Sequence, residues 1–268
     1  MIKFIFLFLL LYGALLVYMY TMQRKLLYFP DVDIAPPESY GLSGFSDLRV
    51  RSSDNLSVQL WYAPAAANMP TILYFHGNAA HIGNRSAIYG ALSAQGFGVA
   101  ALSYRGYGKS DGTPSEQGIY ADARAALAFL TMEKNIPLSQ IMLFGESLGT
   151  GVAIQIASES DVAAVILQAP YTSVAARAAQ IYYYVPVRLL ITDRFDSLSK
   201  IGRVKAPVLF FHGELDQVIP IQQGKALFDA SPSLKRAYYF PQVGHTDFDP
   251  AIQTAHIIEF AKEYKIIR

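Results

Sequence analysis

The stretch LFGESLGTGVAIQIA, residues 143–157, decides how this chain is read. An apolar run over Ile141–Phe144 meets Gly145-Glu146-Ser147-Leu148-Gly149, and apolar residues at helical spacing follow. That order predicts a buried strand turning sharply into a helix. A serine between two glycines at such a point is either an ordinary tight turn or a nucleophile. In the second case the turn lifts the side chain clear of the backbone, and the glycines remove Cβ atoms that would clash around it. The position is also a helix N-terminus, where free N–H groups stabilise developing negative charge. The rest of the sequence has to choose.

Working outward, short apolar runs recur at Thr71–Phe75, Gly98–Leu102, Ala164–Leu167, Val208–Phe211 and Tyr238–Phe240. Strands apolar on both faces are what a helix-covered parallel sheet requires. Phe45–Arg51 and Leu56–Tyr62 flank the turn-like SSDN and predict a first hairpin. Helical spacing marks Ala121–Met132, Leu148–Ala157, Ile221–Phe228 and Ala251–Phe260. Alternating strand and helix predicts a mostly parallel, doubly wound α/β sheet that binds ligands at the carboxyl ends of its strands. Some forty residues separate Leu167 from Val208, where a single crossover helix needs far fewer, so an insertion is expected at about 170–203.

With 268 residues, 52% of them apolar, the chain can bury a large core and is not a disordered sequence. A net charge of +1 without like-charged runs gives no footprint for nucleic acid. There is no cysteine, which removes disulfides, thiol catalysis and Cys-ligated zinc together. Phe4–Tyr20 carries no charge and as a helix spans roughly 25 Å. Its distal end, VYMYTMQRK, has bulky residues where a signal-peptide cleavage site needs small ones, which favours an uncleaved anchor. The expected organisation is an anchor over 1–25, an extended connector over 26–44 and one domain over 45–268. Lys3 on one flank and Arg24 with Lys25 on the other leave the side of the membrane open, with a lean to an exported domain.

A serine nucleophile needs a base, and the base needs an orienting carboxylate, in the chain order Ser, Asp or Glu, His for this kind of turn. Three histidines follow Ser147. His212 closes an apolar strand, and His256 lies within the final amphipathic helix. His245 sits in FPQVGHTDF, a glycine-containing loop at the expected carboxyl edge of the sheet, and is the candidate base. In VLFFHGELDQVIP, Asp216 lies past a Gly turn and is preferred as the acid, with Glu214 as the alternative. An ordinary role for Asp216 is turn former or helix cap. Two backbone N–H groups complete the set as a candidate oxyanion hole: Leu148, directly after the serine, and Asn78, in the loop after the third strand. His76, which precedes the serine, is expected to brace neighbouring loops through its ring. These elements agree in chemistry and order, and Ser147 is read as a nucleophile.

The segments QRKLLYFP, YFHGNAAHIGN, YRGYGKSDGTPSEQG, GESLGTGVA and FHGELDQVIP resemble the α/β-hydrolase superfamily. They resemble in particular a membrane-anchored branch with a serine-aminopeptidase-like hydrolase domain. The likeness runs from about Phe45 to the C-terminus. It implies Ser147, Asp216 and His245 as catalytic residues, a helical cap after the sixth strand, and neither cofactor nor metal. The label does not carry peptidase activity with it. Some relatives attach to membranes through lipidated N-terminal cysteines, and here the apolar span would have to substitute. Gly106-Tyr107-Gly108 does not complete a dinucleotide motif, because position 111 is Asp.

The expected chemistry is hydrolysis of an ester or thioester, with an amidase or peptidase of the same fold as one alternative. A non-catalytic membrane scaffold, or a lipid-binding partner that retains ligand without turnover, is another. The cap segment is apolar and holds Tyr182-Tyr183-Tyr184. Beside a membrane this favours a small-molecule or lipid-like acyl substrate, although the tyrosines could equally pack the cap onto the core.

Overall fold

The computed structural model describes residues 1–267. In chain order the elements begin with helix α1 (Ile2–Leu27), strand β1 (Phe29–Pro30), the hairpin β2 (Ser46–Arg51) and β3 (Ser57–Ala63), then β4 (Thr71–Phe75) and β5 (Ala79–Ala80). Next come α2 (Ser86–Ala94), β6 (Gly98–Leu102), α3 (Glu116–Ala128), β7 (Ile141–Glu146), α4 (Leu148–Ala157) and β8 (Ala164–Gln168). The insertion carries α5 (Val174–Ile181), α6 (Val187–Leu190) and α7 (Leu198–Ile201). The chain then returns through β9 (Val208–Gly213), α8 (Ile221–Ala230), β10 (Lys235–Phe240) and α9 (Pro250–Glu263).

Eight strands form one sheet in the order β10-β9-β8-β7-β4-β6-β3-β2. Pairing is parallel from β10 through to β6, and β3 runs antiparallel to both of its neighbours. Side chains of a strand alternate between faces, and β7 shows the result: Ile141 and Leu143 enter one apolar layer, Met142 and Phe144 the other. The first layer is closed by α3, α4 and α8 through residues such as Ile119, Val152 and Leu227. The second is closed by α2 and α9 through Tyr89, Leu92 and Phe260. This is the doubly wound α/β sheet that the apolar runs predict.

Two local differences have physical causes. Helix α2 occupies a stretch where helical spacing is not evident in the sequence. Gly90 and two serines blur its apolar face, yet the parallel β4–β6 pair requires a crossover there. The helix expected over Ala121–Met132 starts earlier, at Glu116, where the Ser115 side chain accepts from Gly118 N–H.

Helix α1 measures about 39 Å along its axis and ends beside the sheet. Residues after it are held down: β1 pairs with β5, and Tyr28, Ile34, Leu42 and Phe45 are buried. The chain leaves β4 toward β6 on one side and returns to β7 on the other. The carboxyl ends of β4 and β7 therefore flank the crevice where such a sheet accepts ligands.

Candidate active site

Ser147 follows β7 at φ 51° and ψ −116°, a left-handed conformation that an L side chain rarely adopts. Its neighbours hold it there. Ser147 N–H donates to Gln168 O at 2.9 Å, and Thr150 Oγ1 donates to Ser147 O at 2.7 Å. The two flanking glycines are required by space. A Cβ at Gly145 would run into the backbone of Gly149, and one at Gly149 into the carbonyl of Phe75 on β4. Helix and strand thus approach closely enough to thrust the serine out at the sheet edge.

Two further loops reach the same point. After β9 the chain turns through Gly213 to Asp216, and after β10 it turns through Val243 and Gly244 to His245. They are tied together by Glu214 N–H to Phe240 O (2.9 Å) and Leu215 N–H to Val243 O (3.1 Å). His245 Nδ1 stands 2.7 Å from Asp216 Oδ2, and its Nε2 stands 2.9 Å from Ser147 Oγ. With Asp216 ionised, Nδ1 must donate to it, which leaves Nε2 free to accept the serine proton. Glu214, the alternative acid, is exposed.

Asp216 is buried, and both carboxylate oxygens are engaged. Oδ1 accepts from Val218 and Ile219 N–H, each at 2.8 Å. Burial alone would raise its pKa, but hydrogen bonds from His212, His245 and Ile219 N–H outweigh it and hold the carboxyl well below the usual range. His212 Nε2 lies 2.8 Å from Ile219 O and 3.5 Å from Asp216 Oδ2, so this histidine backs the acid from inside the sheet. His256 stacks on Tyr238 with ring centroids 3.7 Å apart, on α9.

His76 is buried, and burial, its largest influence, pushes its pKa down to about 3. Its Nδ1 donates to Gly77 O at 2.7 Å, and Nε2 accepts from Tyr104 N–H at 3.4 Å. A neutral ring thereby braces the loops after β4 and β6.

Asn78 and Leu148 border one cavity with Ser147, of about 210 Å³. Asn78 is itself fixed from three sides. Its carbonyl accepts from Phe29 N–H (2.9 Å) and Tyr107 Oη (2.8 Å), and its side-chain amide donates to Leu27 O (2.9 Å) at the end of α1.

One pair escaped the sequence reading. Glu146, the variable residue before the serine, is buried and meets Arg85 along both edges, and Tyr74 Oη donates to it at 2.8 Å. Burial would raise its pKa, but the Arg85 charge and these hydrogen bonds hold it below the ordinary range. Arg85 also donates to the carbonyls of Ala79 and His81, so it joins the loop carrying Asn78 to the strand carrying Ser147. No motif signals this pair, since Arg85 lies 61 residues from its partner.

The hydrolase family model described as serine aminopeptidase, S33, matches residues 67–195. The uncharacterized protein Rv2307c of Mycobacterium tuberculosis is 36% identical over 237 residues, covering 88% of this chain and 84% of its own. Protein bem46 of Schizosaccharomyces pombe is 30% identical over 246 residues, covering 86% of this chain and 82% of its own. Among solved structures, an esterase of Pyrococcus furiosus superposes with TM-score 0.71 at 18% identity, over 89% of this chain and 98% of its own. Sheet order, sharp serine turn and relatives matched over most of their length converge: the chain belongs to the α/β-hydrolase superfamily, with a serine-aminopeptidase-like hydrolase domain.

Proposed function

We propose that the protein is a membrane-anchored serine hydrolase that cleaves acyl esters or thioesters through Ser147, His245 and Asp216. The observation that carries this reading is the unbroken chain of short contacts, 2.9 Å from Ser147 Oγ to His245 and 2.7 Å from His245 to Asp216.

His245 Nε2 takes the proton of Ser147 as Oγ attacks the carbonyl carbon. Asp216 keeps the imidazole in the required tautomer and stabilises the imidazolium. The oxyanion faces the N–H groups of Leu148 and Asn78, residues that border the same cavity as Ser147. His245 returns the proton to the leaving alcohol or thiol. A water deprotonated by the same nitrogen then releases the acid and restores the serine. The Pyrococcus furiosus neighbour is an esterase, which favours esters over amides.

Retention of α1 as an anchor is supported by its contacts with the folded domain. Arg24 Nε and Tyr28 Oη both donate to Asp193 at 3.0 Å, and Gln23 Oε1 accepts from Thr192 N–H at 2.8 Å. A signal peptide removed after translocation has no use for such partners.

The test is labelling of the full chain in detergent micelles by a fluorophosphonate, alongside Ser147→Ala, followed by matched butyrate ester and anilide substrates. Labelling lost in Ser147→Ala, with the ester turned over faster, is the expected result. A folded wild-type chain that takes no label would sink the proposal.

A further inference from the structure

Two apolar hollows adjoin between α1 and the cap, and Ser147 lines the first. The first is the cavity of about 210 Å³ already described, between the sheet edge and the cap. The second, about 70 Å³, lies between α1 and the cap, with Met19 and Tyr20 on one wall and Val185, Val187 and Leu190 on the other. Leu26, Ala178, Tyr182 and Ile191 border both. The two hollows therefore adjoin through these four side chains, and taken together they mark a cleft from the serine along the last turns of α1 to Met19. The anchor helix is a wall of the site, not a tether beside it.

The level of the far end follows from the sequence. Phe4–Tyr20 is the uncharged span, and the cleft ends at its last residues. The cap reaches further still. Tyr12 Oη, about 12 Å up the helix from Tyr20, donates to Tyr184 O at 2.8 Å. The cap apex thus stands alongside the span and not beyond its end. Its side chains suit that depth: Tyr183 is 84% exposed and Leu189 82% exposed, and Tyr183 packs edge-on against Tyr184 and not against the core. Exposed aromatic and aliphatic side chains at that level suit contact with acyl chains.

We infer that the cleft between α1 and the cap receives the fatty acyl chain of a bilayer-resident, single-chain acyl ester, which enters sideways from the membrane and brings its carbonyl to Ser147. This rests on the hydrolase reading above and names the substrate class of the same site. A chain in the cleft leaves lipid only for apolar walls, so its transfer sacrifices little hydrophobic contact. The ester end meets the polar groups at Ser147, and a second acyl chain would have to remain outside.

The experiment uses the full-length chain in phosphatidylcholine nanodiscs and a long-chain alkyl fluorophosphonate with a diazirine at the chain terminus. Ser147 Oγ displaces fluoride from phosphorus, and light then records where the chain end lies. Crosslinks to peptides containing Met19–Gln23 or Val185–Leu190 are expected. Phosphonylated Ser147 with crosslinks confined to other surfaces overturns this inference and leaves the hydrolase reading intact. Failure to phosphonylate Ser147 overturns both. As a second measurement, Met19→Trp should lower the ratio of kcat/KM for p-nitrophenyl laurate over butyrate by about tenfold or more, the scale on which an apolar pocket discriminates. An unchanged ratio contradicts the proposed path.

Discussion

Arg85 grips Glu146 with two parallel hydrogen bonds, Nη2 to Oε1 at 2.8 Å and Nε to Oε2 at 3.0 Å, directly behind the serine turn. Both groups are largely out of water, so removing one strands the other. Arg85→Met should destabilise the protein by about 3–5 kcal/mol, the cost of leaving a buried charge unpaired. Glu146→Gln combined with Arg85→Met should recover part of that loss, measurable in a double-mutant cycle of urea denaturation. Equal and additive losses would mean that the two side chains act separately.

The same carboxylate sets an acid limit. Glu146 and Asp216 are both held below their ordinary values in the folded chain. Each therefore binds protons more weakly folded than unfolded. The stability they add is complete above the unfolded values of about 4, and is lost as pH falls through the folded ones. Glu146→Gln should flatten the dependence of the unfolding free energy on pH below about 4. Denaturant titrations at stepped acidic pH would read this, and an unchanged slope would remove Glu146 from the account.

Asp216→Asn keeps an oxygen for Val218 and Ile219 N–H but turns an amide N–H₂ toward His245 Nδ1. The imidazole would then hold its proton on the wrong nitrogen. Ester turnover should drop by about 10⁴-fold with the fold intact. Glu214→Gln, on an exposed side chain, should leave the rate near wild type. Comparable losses in the two variants would dismiss Asp216 as the orienting acid.

Arg177 on α5 donates to the carbonyls of Val218 (2.6 Å) and Gln217 (3.1 Å), linking the cap to the loop of Asp216. Removing these bonds in Arg177→Ala should cost roughly 1 kcal/mol, or about fivefold in kcat/KM. The loss is expected in KM, because the cap shapes the cavity and takes no part in bond making. Steady-state kinetics on one short ester would separate the cases, and a loss carried by kcat alone would contradict it.

Much of this was legible in the residues. Six strands announce themselves because runs apolar on both faces have few other uses, the hairpin β2–β3 shows through its turn, and β7 begins at Ile141 as expected. Ser147, Asp216 and His245 could be nominated because the serine turn constrains both chain order and loop, and the fold brings the three side chains together. What escaped was pairing at a distance. Nothing local marks Arg85 as the partner of Glu146, or Asp193 as the partner of Arg24. The depth of the cap was hidden for the same reason. Tyr182-Tyr183-Tyr184 is equally compatible with a packed interior and with an outward edge, and the exposure of Tyr183 with the contact from Tyr12 distinguishes them.

Asp193 lies buried in the cap and takes its hydrogen bonds from Arg24 and Tyr28, on and just after α1. That arrangement bears on inheritance. Were α1 an interchangeable tether, any apolar helix could replace it by recombination without disturbing the enzyme. Here a foreign helix would leave the Asp193 carboxylate without its cation. A chimera carrying another apolar helix in place of α1 should therefore be less stable than the native pairing of Arg24 with Asp193.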